Sequence, residues 1–202
     1  MGIGEIKRRA VFLDRDGVIN ALAFNAKTGA WESPHAPEDV VVLKGAAEAI
    51  RRLSAAGYLV FVVSNQPSYA KGKTSLENIR LVHDKIAGEL NSAGASVQEF
   101  FYCYHHPAGI IPGYSGPCEC RKPKPHFLNN AIKGYNLDRS ASWMVGDRKT
   151  DIECGAAAGV RTVLVTGSQD GEKCEGSRAD FSAKDLREAA EIIAANTNNA
   201  EG

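Results

Sequence analysis

The chain has 202 residues, 44% hydrophobic and 24% charged, which is ordinary for a globular protein with one sizeable core. The chain has 24 lysine and arginine residues and 24 aspartate and glutamate residues, so its formal net charge is zero. No net positive charge therefore favours a nucleic acid or an anionic membrane as a partner. No apolar run approaches the roughly 18 residues that span a bilayer, and Met1 to Ala10 has basic residues without an apolar signal segment. We therefore expect a single domain over residues 1–202, located in the cytoplasm.

The first half of the chain predicts strands and helices in alternation. A short apolar run from Arg9 to Asp14 is typical of a buried strand. The stretch at residues 18–44 is irregular and too long for an ordinary connection, and long loops in compact domains are often functional. A helix is predicted over 45–56, ending at Gly57, and a second buried strand is predicted over 58–63.

The second half of the chain continues this alternation. Thr74, Ser75, Leu76 and Glu77 form a capping-box pattern, which predicts the start of a helix that ends near Gly94. The remaining predicted elements are strands at 97–102, 143–145 and 161–165, helices at 125–135, 151–158 and 183–195, and a frayed end at 196–202.

This order of elements predicts an α/β fold with a mainly parallel sheet. In such sheets, ligands bind outside the carboxyl ends of the strands. The polar residues that follow the predicted strands are therefore the candidate site: Asp14, Asp16, Ser64, Asn65, Asp147 and a loop with cysteine and histidine after residue 102.

Asp14 and Asp16 are two residues apart at the end of a predicted strand. Side chains alternate in an extended segment, so residues two apart point the same way. Two converging carboxylates repel each other unless a cation lies between them, and Mg²⁺ prefers oxygen ligands. An Asp-x-Asp pair can equally cap a turn or a helix, so the pair alone leaves both interpretations open.

Cys103, His105, Cys118 and Cys120 have the composition of a closed tetrahedral zinc site. The loop at about residues 103–120 is rich in glycine and proline and cannot build its own core, so a structural Zn²⁺ would supply its order. The odd total of five cysteines argues against a secreted disulfide framework. His106 is the alternative imidazole ligand, and a chance cluster of core cysteines is the alternative to a metal site.

A basic segment, RKPKP, follows this loop at residues 121–125. A charge run is usually a solvated surface, but the zinc loop would hold Arg121 and Lys122 at the ligand-binding edge of the sheet. Arg121 can bind a phosphate group through two hydrogen bonds, so we expect it to contact the substrate. No ligand role is expected for Cys154, which should be packed, or for Cys174, His35, His83 and His126.

Four segments occur in a fixed order, each at a strand end or helix start. They are FLDRDGV at residues 12–18, Ser64 after the second strand, Lys122, and GDRKTD at residues 146–151. Together they resemble the motifs of the haloacid dehalogenase superfamily of phosphatases, over about residues 10–165. The resemblance implies a Rossmann-like core with no large cap domain. The alternative from another class is a non-catalytic binding module stabilised by zinc. Such a module would lack some of the catalytic residues, whereas Asp14, Asp16, Lys122 and Asp147 are all present.

The resemblance implies a role for each matching residue. Asp14 would attack phosphorus and form an aspartyl-phosphate. Asp16 would protonate the leaving oxygen and later activate water, while its backbone carbonyl contacts the metal. Asp147 would complete a Mg²⁺ site with Asp14 and Asp16, and Asp151 would either orient a basic side chain or cap the following helix. The transferring phosphoryl oxygens would be bound by Ser64, Asn65 and Lys122.

The zinc loop narrows the resemblance to one branch. With DRDGVIN at 14–20, SNQ at 64–66 and CECRKP at 118–123, it resembles the phosphatases that remove the 7-phosphate of D-glycero-D-manno-heptose 1,7-bisphosphate. This implies a place in the synthesis of activated heptose for surface glycans. The alternatives are a histidinol-phosphate phosphatase, a class that shares the zinc ligands but usually has a shorter gap between the histidine and the second cysteine pair, or another phosphomonoesterase of small metabolites. The resemblance to small phosphatases without a cap domain, which tend to be monomeric, implies that the chain is a monomer.

The departures from this branch fall in the loops that would face the substrate. Pro67 and Ser68 stand where the branch more often has Ser-Gly, and the long loop after Asn20 contains Trp31. Arg148 stands where a lysine is common, and we expect it to contact the substrate as Arg121 does. These changes leave the implied chemistry intact and leave the exact substrate and its anomer open.

Overall fold

The computed structural model describes residues 7–168 and 176–197. The strands are β1 (Arg9–Leu13), β2 (Ala23–Asn25), β3 (Ala30–Glu32), β4 (Tyr58–Asn65), β5 (Glu99–Cys103), β6 (Trp143–Gly146), β7 (Arg161–Val165) and β8 (Phe181–Ala183). The helices are α1 (Ala46–Ala55), α2 (Leu76–Ser92), α3 (His126–Gly134), α4 (Lys149–Ala158) and α5 (Leu186–Thr197).

A six-stranded sheet forms the centre of the fold, in the order β5-β4-β1-β6-β7-β8. Every neighbouring pair in it runs parallel, whereas β2 and β3 form a separate antiparallel hairpin. The predicted α/β fold with a mainly parallel sheet is therefore confirmed. The sheet brings the carboxyl ends of β4, β1 and β6 side by side, where the candidate site was expected.

The central strand β1 is buried on both faces because helices cover both sides of the sheet. Val11 and Leu13 pack into one core with residues of α1, α2 and α5. Ala10 and Phe12 point to the opposite side and pack with residues of α3 and α4. The strand therefore reads as a continuous apolar run rather than an alternating one. Within the described ranges, no helix is long and apolar enough to cross a bilayer.

The start of α2 differs from its prediction. Ser75, not Thr74, caps the helix, and its hydroxyl oxygen accepts a hydrogen bond from the Asn78 backbone N–H at 3.0 Å. The Thr74 hydroxyl instead donates to the His35 carbonyl oxygen at 2.7 Å. Thr74 therefore lies outside the helix, where its hydrogen bond holds the loop that contains His35.

The stretch at residues 18–44 was predicted to be irregular, and this prediction was wrong. It contains the hairpin β2–β3 and a short 3₁₀ helix at Pro37–Asp39. Each strand of the hairpin has only three residues, too few to show an alternating pattern. Gly29 in the turn has φ +65°, a conformation that glycine adopts without strain.

The C-terminal part differs in three places. Helix α4 begins at Lys149, two residues before the predicted start, because the Asp151 carboxylate accepts a hydrogen bond from the Arg148 backbone N–H at 3.0 Å and closes the first turn. Strand β8 was not predicted, being only three residues long. Helix α5 continues to Thr197, so residues 196–197 are not frayed; residues 198–202 and Cys174 lie outside the described residues.

Candidate active site

A cleft of about 460 Å³ opens at the carboxyl ends of β1 and β4. Asp14 and Asp16 follow β1, Ser64 lies near the end of β4, and all three line the cleft. The adjacent backbone is rigid because β1 is hydrogen-bonded to a strand on each side. The fold therefore collects polar side chains from distant parts of the sequence around one concave surface.

Lys122 lies between two carboxylates at the base of the cleft. Its Nζ is 2.8 Å from Asp14 Oδ1 and 2.7 Å from Asp151 Oδ1, and it donates to the Val63 carbonyl oxygen at 2.6 Å. Burial alone would lower the pKa of Lys122, but Asp14 and Asp151 raise it above its usual value. The side chain is therefore a fixed positive charge that holds Asp14 in place.

Asp14, Asp147 and Asp151 form a buried cluster of carboxylates. One oxygen from each lies within 4.8 Å of the others. Burial, followed by the charges of its neighbours, raises the pKa of Asp147 to about 7, and burial likewise raises the pKa of Asp151 to about 6. Within the described part of the chain, Asp147 Oδ1 accepts no hydrogen bond. Among the described residues, the three carboxylates share the one buried cation Lys122, so their oxygens fit a further, hard divalent cation such as Mg²⁺.

Asp151 was expected either to orient a basic side chain or to cap the following helix, and in the structure it does both. Its carboxylate both contacts Lys122 and accepts the Arg148 N–H hydrogen bond at the start of α4. The cluster of carboxylates contains Asp151 together with Asp14 and Asp147, and Asp16 was expected to contribute its backbone carbonyl rather than its carboxylate. The sequence left open whether Asp151 contacts the metal site, because its position at a helix start is also that of an ordinary cap.

Gly17 allows the segment after β1 to pass close to this cluster. It has φ +88°, and a Cβ at this position would lie 2.2 Å from Asp147 Oδ2. Ser168 Oγ donates a hydrogen bond to the same Asp147 oxygen at 2.6 Å. The glycine is therefore required by the close approach as well as by its backbone conformation.

Asp16 is held by a dense set of donors. Its carboxylate accepts five hydrogen bonds, at 2.7 to 3.1 Å. Burial alone would raise the pKa of Asp16, but the Arg15 guanidinium and these hydrogen bonds hold it below its usual value. The sequence analysis did not identify these donors, which come from separate segments. They are Arg15 (two bonds), Asn20, Ser33 and Gln66.

Ser64 and Asn65 were both predicted to bind phosphoryl oxygens. Ser64 is buried beside the cleft, and its hydroxyl accepts a hydrogen bond from Gln66 Nε2 at 3.0 Å. The Asn65 side chain accepts from the Lys122 backbone N–H at 3.1 Å and donates to the Lys122 carbonyl oxygen at 3.2 Å. Asn65 therefore fixes the backbone that carries Lys122, and its contact with a phosphoryl group stays a prediction.

The outer part of the cleft carries an excess of positive charge. Six lining residues are cationic and four are acidic. Arg121 and Arg148, both predicted to contact the substrate, are among them, and Arg121 Nη1 also donates to the His105 carbonyl oxygen at 3.3 Å. The other cationic lining residues are Lys71, Lys73, Lys122 and Lys149.

The hairpin β2–β3 forms one wall of the cleft, so the long loop that was predicted to face the substrate does lie at the site, although its hairpin structure was not predicted. Trp31 lines the cleft with its indole ring 38% exposed and packs edge-on against Phe24, with ring centroids 5.4 Å apart. Glu32 binds Lys73 Nζ at 2.6 Å, and the Ser33 hydroxyl donates to Asp16 Oδ2 at 2.8 Å. The hairpin is thus fixed both to the loop before α2 and to Asp16.

The predicted zinc ligands converge beside the cleft. The Sγ atom of Cys120 lies 3.1 Å from that of Cys103, 3.6 Å from that of Cys118 and 3.5 Å from His105 Nδ1. Zn–S bonds of about 2.3 Å in a tetrahedron place sulfur atoms ~3.8 Å apart. The Cys103–Cys118 distance of 3.7 Å and the Cys118–Cys120 distance of 3.6 Å are close to this value, and the Cys103–Cys120 distance is shorter, so a small separation of these two thiols would complete the site. The alternative ligand, His106, accepts a hydrogen bond at Nδ1 from the Ala108 N–H at 3.0 Å.

The remaining cysteine and histidine predictions concern residues outside both clusters. Cys154 is buried in the core, as expected. His35 Nε2 lies 3.0 Å from Ser68 Oγ, and His83 Nδ1 lies 3.0 Å from the Tyr102 hydroxyl. His126 is exposed on α3. None of these four belongs to the two ligand clusters formed within residues 7–168 and 176–197.

Comparisons with known proteins agree with this architecture. A model of the HAD-hydrolase-like family matches residues 119–189. The D-glycero-β-D-manno-heptose-1,7-bisphosphate 7-phosphatase of Rhodopseudomonas palustris is 38% identical over 76% of this chain and 81% of its own. The α-anomer enzyme of Photorhabdus laumondii is 34% identical, over 84% and 89%.

A solved structure is similar over nearly the whole fold. The D,D-heptose 1,7-bisphosphate phosphatase from B. bronchiseptica, complexed with magnesium and phosphate, superposes with a TM-score of 0.77 at 29% identity. The match covers 93% of this chain and 99% of that one, so no large additional domain separates the two. The chain therefore belongs to the heptose-1,7-bisphosphate phosphatase family of the haloacid dehalogenase-like hydrolases.

Proposed function

We propose that this protein is a Mg²⁺-dependent phosphatase that removes the 7-phosphate of D-glycero-D-manno-heptose 1,7-bisphosphate through an aspartyl-phosphate on Asp14. The observation that carries the proposal is the buried arrangement of Asp14 between Lys122 and the carboxylate cluster, at the base of a cationic cleft. The family relationship supports the substrate.

The first chemical step uses Asp14 as the nucleophile. Lys122 binds Asp14 Oδ1 at 2.8 Å, which leaves Oδ2 available to attack phosphorus. Asp16 is ionised in the free protein, where its pKa is held low, and it takes up a proton when the anionic substrate binds. As the phosphorus–oxygen bond to the sugar breaks, Asp16 gives that proton to the leaving oxygen. Charge that develops on the transferring phosphoryl oxygens is stabilised by Lys122 and by the hydroxyl of Ser64.

The second step regenerates the enzyme. Asp16, now a carboxylate, takes a proton from a water molecule that attacks phosphorus of the aspartyl-phosphate. The bond between phosphorus and Asp14 breaks, inorganic phosphate leaves, and Asp16 is protonated again. One water is consumed for each phosphate released, and both proton transfers use the same carboxyl group.

The carboxylate cluster would hold the magnesium ion. Asp14, Asp147 and Asp151 supply oxygen ligands, and the Asp16 backbone carbonyl is a further candidate. When bound, Mg²⁺ would neutralise the repulsion between the nucleophile and the phosphate and help to orient the two. Asp147 Oδ1 supports this assignment, because within the described ranges it is buried without a hydrogen bond and its nearest cation, Arg148 Nε, is 3.9 Å away.

Zinc would have a structural role in the neighbouring loop. Cys103, His105, Cys118 and Cys120 supply four ligand atoms, which fills a tetrahedral site and leaves no position for a substrate. Only Arg121 separates Cys120 from Lys122. The zinc would therefore fix the position of the lysine that contacts Asp14.

The substrate preference can be tested by phosphate release from three compounds: the two anomers of the heptose bisphosphate and histidinol phosphate. We expect Mg²⁺-dependent turnover of one heptose anomer well above the other two. Relatives named for each anomer match this chain at similar identity, so the assay decides the anomer. Faster release from histidinol phosphate would overturn the proposed substrate, and no release from any phosphomonoester would overturn the proposed chemistry.

A further inference from the structure

We propose that Arg15 is a positioning residue that fixes the Asp16 carboxylate in the orientation needed to exchange a proton with the leaving oxygen. This inference rests on the proposed role of Asp16 in phosphoryl transfer. It assigns to the arginine between the two aspartates a role of its own, acting through Asp16 rather than on the substrate.

Arg15 is completely buried, which is unusual for an arginine. Its Nε donates to Asp16 Oδ1 at 3.0 Å and its Nη2 donates to Asp16 Oδ2 at 3.1 Å. The two parallel contacts define the plane of the carboxylate, because a guanidinium fork fits both carboxylate oxygens at once. Asn20, Ser33 and Gln66 each add one further contact, so Arg15 is the residue that binds both Asp16 oxygens.

The guanidinium is itself held from two other sides. Its Nη2 donates to Gln66 Oε1 at 2.8 Å, and its central carbon lies 5.5 Å from the centroid of the Tyr102 ring. Gln66 also donates from Nε2 to Asp16 Oδ2 at 2.7 Å, so it bridges the arginine and the aspartate. Arg15 is thus a rigid support whose position is set by β5 and the loop after β4.

The donor set also shows which side of the Asp16 carboxylate faces the cleft. Among the five donors, only the Ser33 hydroxyl can reverse its role and accept a hydrogen bond, since the nitrogen donors of Arg15, Asn20 and Gln66 cannot. Ser33 contacts Oδ2 and lines the cleft. The cleft-facing side of the Asp16 carboxylate is therefore the side that contacts Ser33, and the contacts with Arg15 help to keep that side turned toward the cleft.

The test compares two substrates with different leaving groups. The sugar phosphate leaves as a strongly basic alkoxide and needs a proton from Asp16, whereas p-nitrophenyl phosphate releases a stable anion without one. The values of kcat/KM are compared because they report only the steps up to departure of the leaving group. We expect Arg15→Lys, which keeps the charge but loses the fork, to lower kcat/KM about tenfold or more for the sugar phosphate and less than about threefold for p-nitrophenyl phosphate.

A matched control is Arg161→Lys. The Arg161 guanidinium also lies over an aromatic ring, 4.0 Å from the centroid of Trp143, but at the opposite end of the sheet. This variant should leave the ratio of the two kcat/KM values unchanged. An equal fall for both substrates in Arg15→Lys would show a general structural defect and overturn the positioning role.

A double-mutant cycle separates this inference from the proposed function. If Arg15 acts through Asp16, adding Arg15→Lys to Asp16→Asn should cause no further loss of sugar-phosphate turnover. If Arg15→Lys lowers the turnover of Asp16→Asn by the same factor as it lowers the turnover of the wild-type protein, the inference is overturned. If Asp16→Asn alone lowers kcat/KM equally for the sugar phosphate and for p-nitrophenyl phosphate, the proposed role of Asp16 is overturned instead. If Arg15→Lys does not fold, the test uses Gln66→Leu, which removes the side chain that bridges Arg15 and Asp16. This variant must also lower kcat/KM more for the sugar phosphate than for p-nitrophenyl phosphate, by a smaller factor than expected for Arg15→Lys.

Discussion

At the scale of single residues, Asp14 is the group on which the proposed reaction depends. Asp14→Asn keeps the shape of the side chain and removes the nucleophilic oxygen, so turnover should fall by roughly 10³ or more. The folded structure and zinc content should be unchanged. Initial-rate assays with the heptose bisphosphate, together with thermal unfolding, measure both properties.

The matched control for this variant is Asp138→Asn. Asp138 lies away from the cleft, where it accepts hydrogen bonds from the Ser140 N–H and hydroxyl. Its replacement should leave turnover within about twofold, because it contacts no cleft residue. Near wild-type rates in Asp14→Asn would refute the nucleophile assignment.

Lys122 carries a second prediction, which concerns stability. Replacing it by methionine removes the cation between Asp14 and Asp151 and leaves two buried carboxylates without a positive charge beside them. Breaking a buried ion pair from one side costs about 3–5 kcal/mol. Urea unfolding of Lys122→Met without Mg²⁺ should show a loss of this size, whereas Lys124→Met, which breaks an exposed pair with Glu119, should lose less than about 1 kcal/mol.

At the scale of elements, the hairpin β2–β3 is expected to select the substrate. Trp31 lines the cleft and offers an aromatic face against which the apolar face of a sugar ring can pack. Trp31→Ala should raise KM for the heptose bisphosphate about tenfold and leave kcat/KM for p-nitrophenyl phosphate within about twofold. Its matched control is Phe24→Ala, the other ring of the pair, which does not line this cleft. An unchanged KM in Trp31→Ala would contradict the assigned role.

The zinc loop is the second element with a testable role. Cys118→Ser should remove zinc, measured by elemental analysis, and lower turnover strongly because Lys122 is displaced, while the parallel sheet remains folded. Cys154→Ser changes a buried cysteine outside the cluster and should retain the zinc. Zinc content equal to wild type in Cys118→Ser would show that the ligand assignment is wrong.

The elements also show how far the sequence alone could predict this structure. The parallel strands were predicted because both faces of the sheet are covered, which gives runs such as residues 9–13 a continuous apolar character. The hairpin and β8 were missed because three-residue strands have no readable period. The donors around Asp16 were missed for a different reason. They lie 1 to 50 residues away along the chain, and only the fold brings them together.

At the scale of the whole molecule, the carboxylate cluster links Mg²⁺ binding to stability. The repulsion among three buried carboxylates is relieved by the cation, so Mg²⁺ at a hundredfold excess over its Kd should stabilise the fold by about 2.7 kcal/mol. For a chain of this size, that corresponds to a rise in Tm of roughly 5–10 °C. Treatment with a chelator should reverse the rise, and scanning calorimetry measures it.

Asp147→Asn provides the matching variant for this measurement. It removes one of the three like charges, so the Mg²⁺-free protein should become more stable while the response of Tm to Mg²⁺ is lost. Asp180→Asn, which changes a carboxylate that binds Thr162 at the other end of β7, should keep the full response. A Tm that rises with Mg²⁺ equally in Asp147→Asn would place the ion elsewhere.

The two tryptophans of the chain lie in opposite surroundings. Trp143 is buried in the core under the Arg161 guanidinium, whereas Trp31 is partly exposed in the wall of the cleft. Their fluorescence should therefore separate into a blue-shifted signal that follows unfolding and a red-shifted signal that follows cleft occupancy. In Asp14→Asn, which should bind substrate without turning it over, Trp31→Phe and Trp143→Phe would each isolate one signal. The protein thus carries built-in optical reporters of folding and of ligand binding, and neither requires an added label.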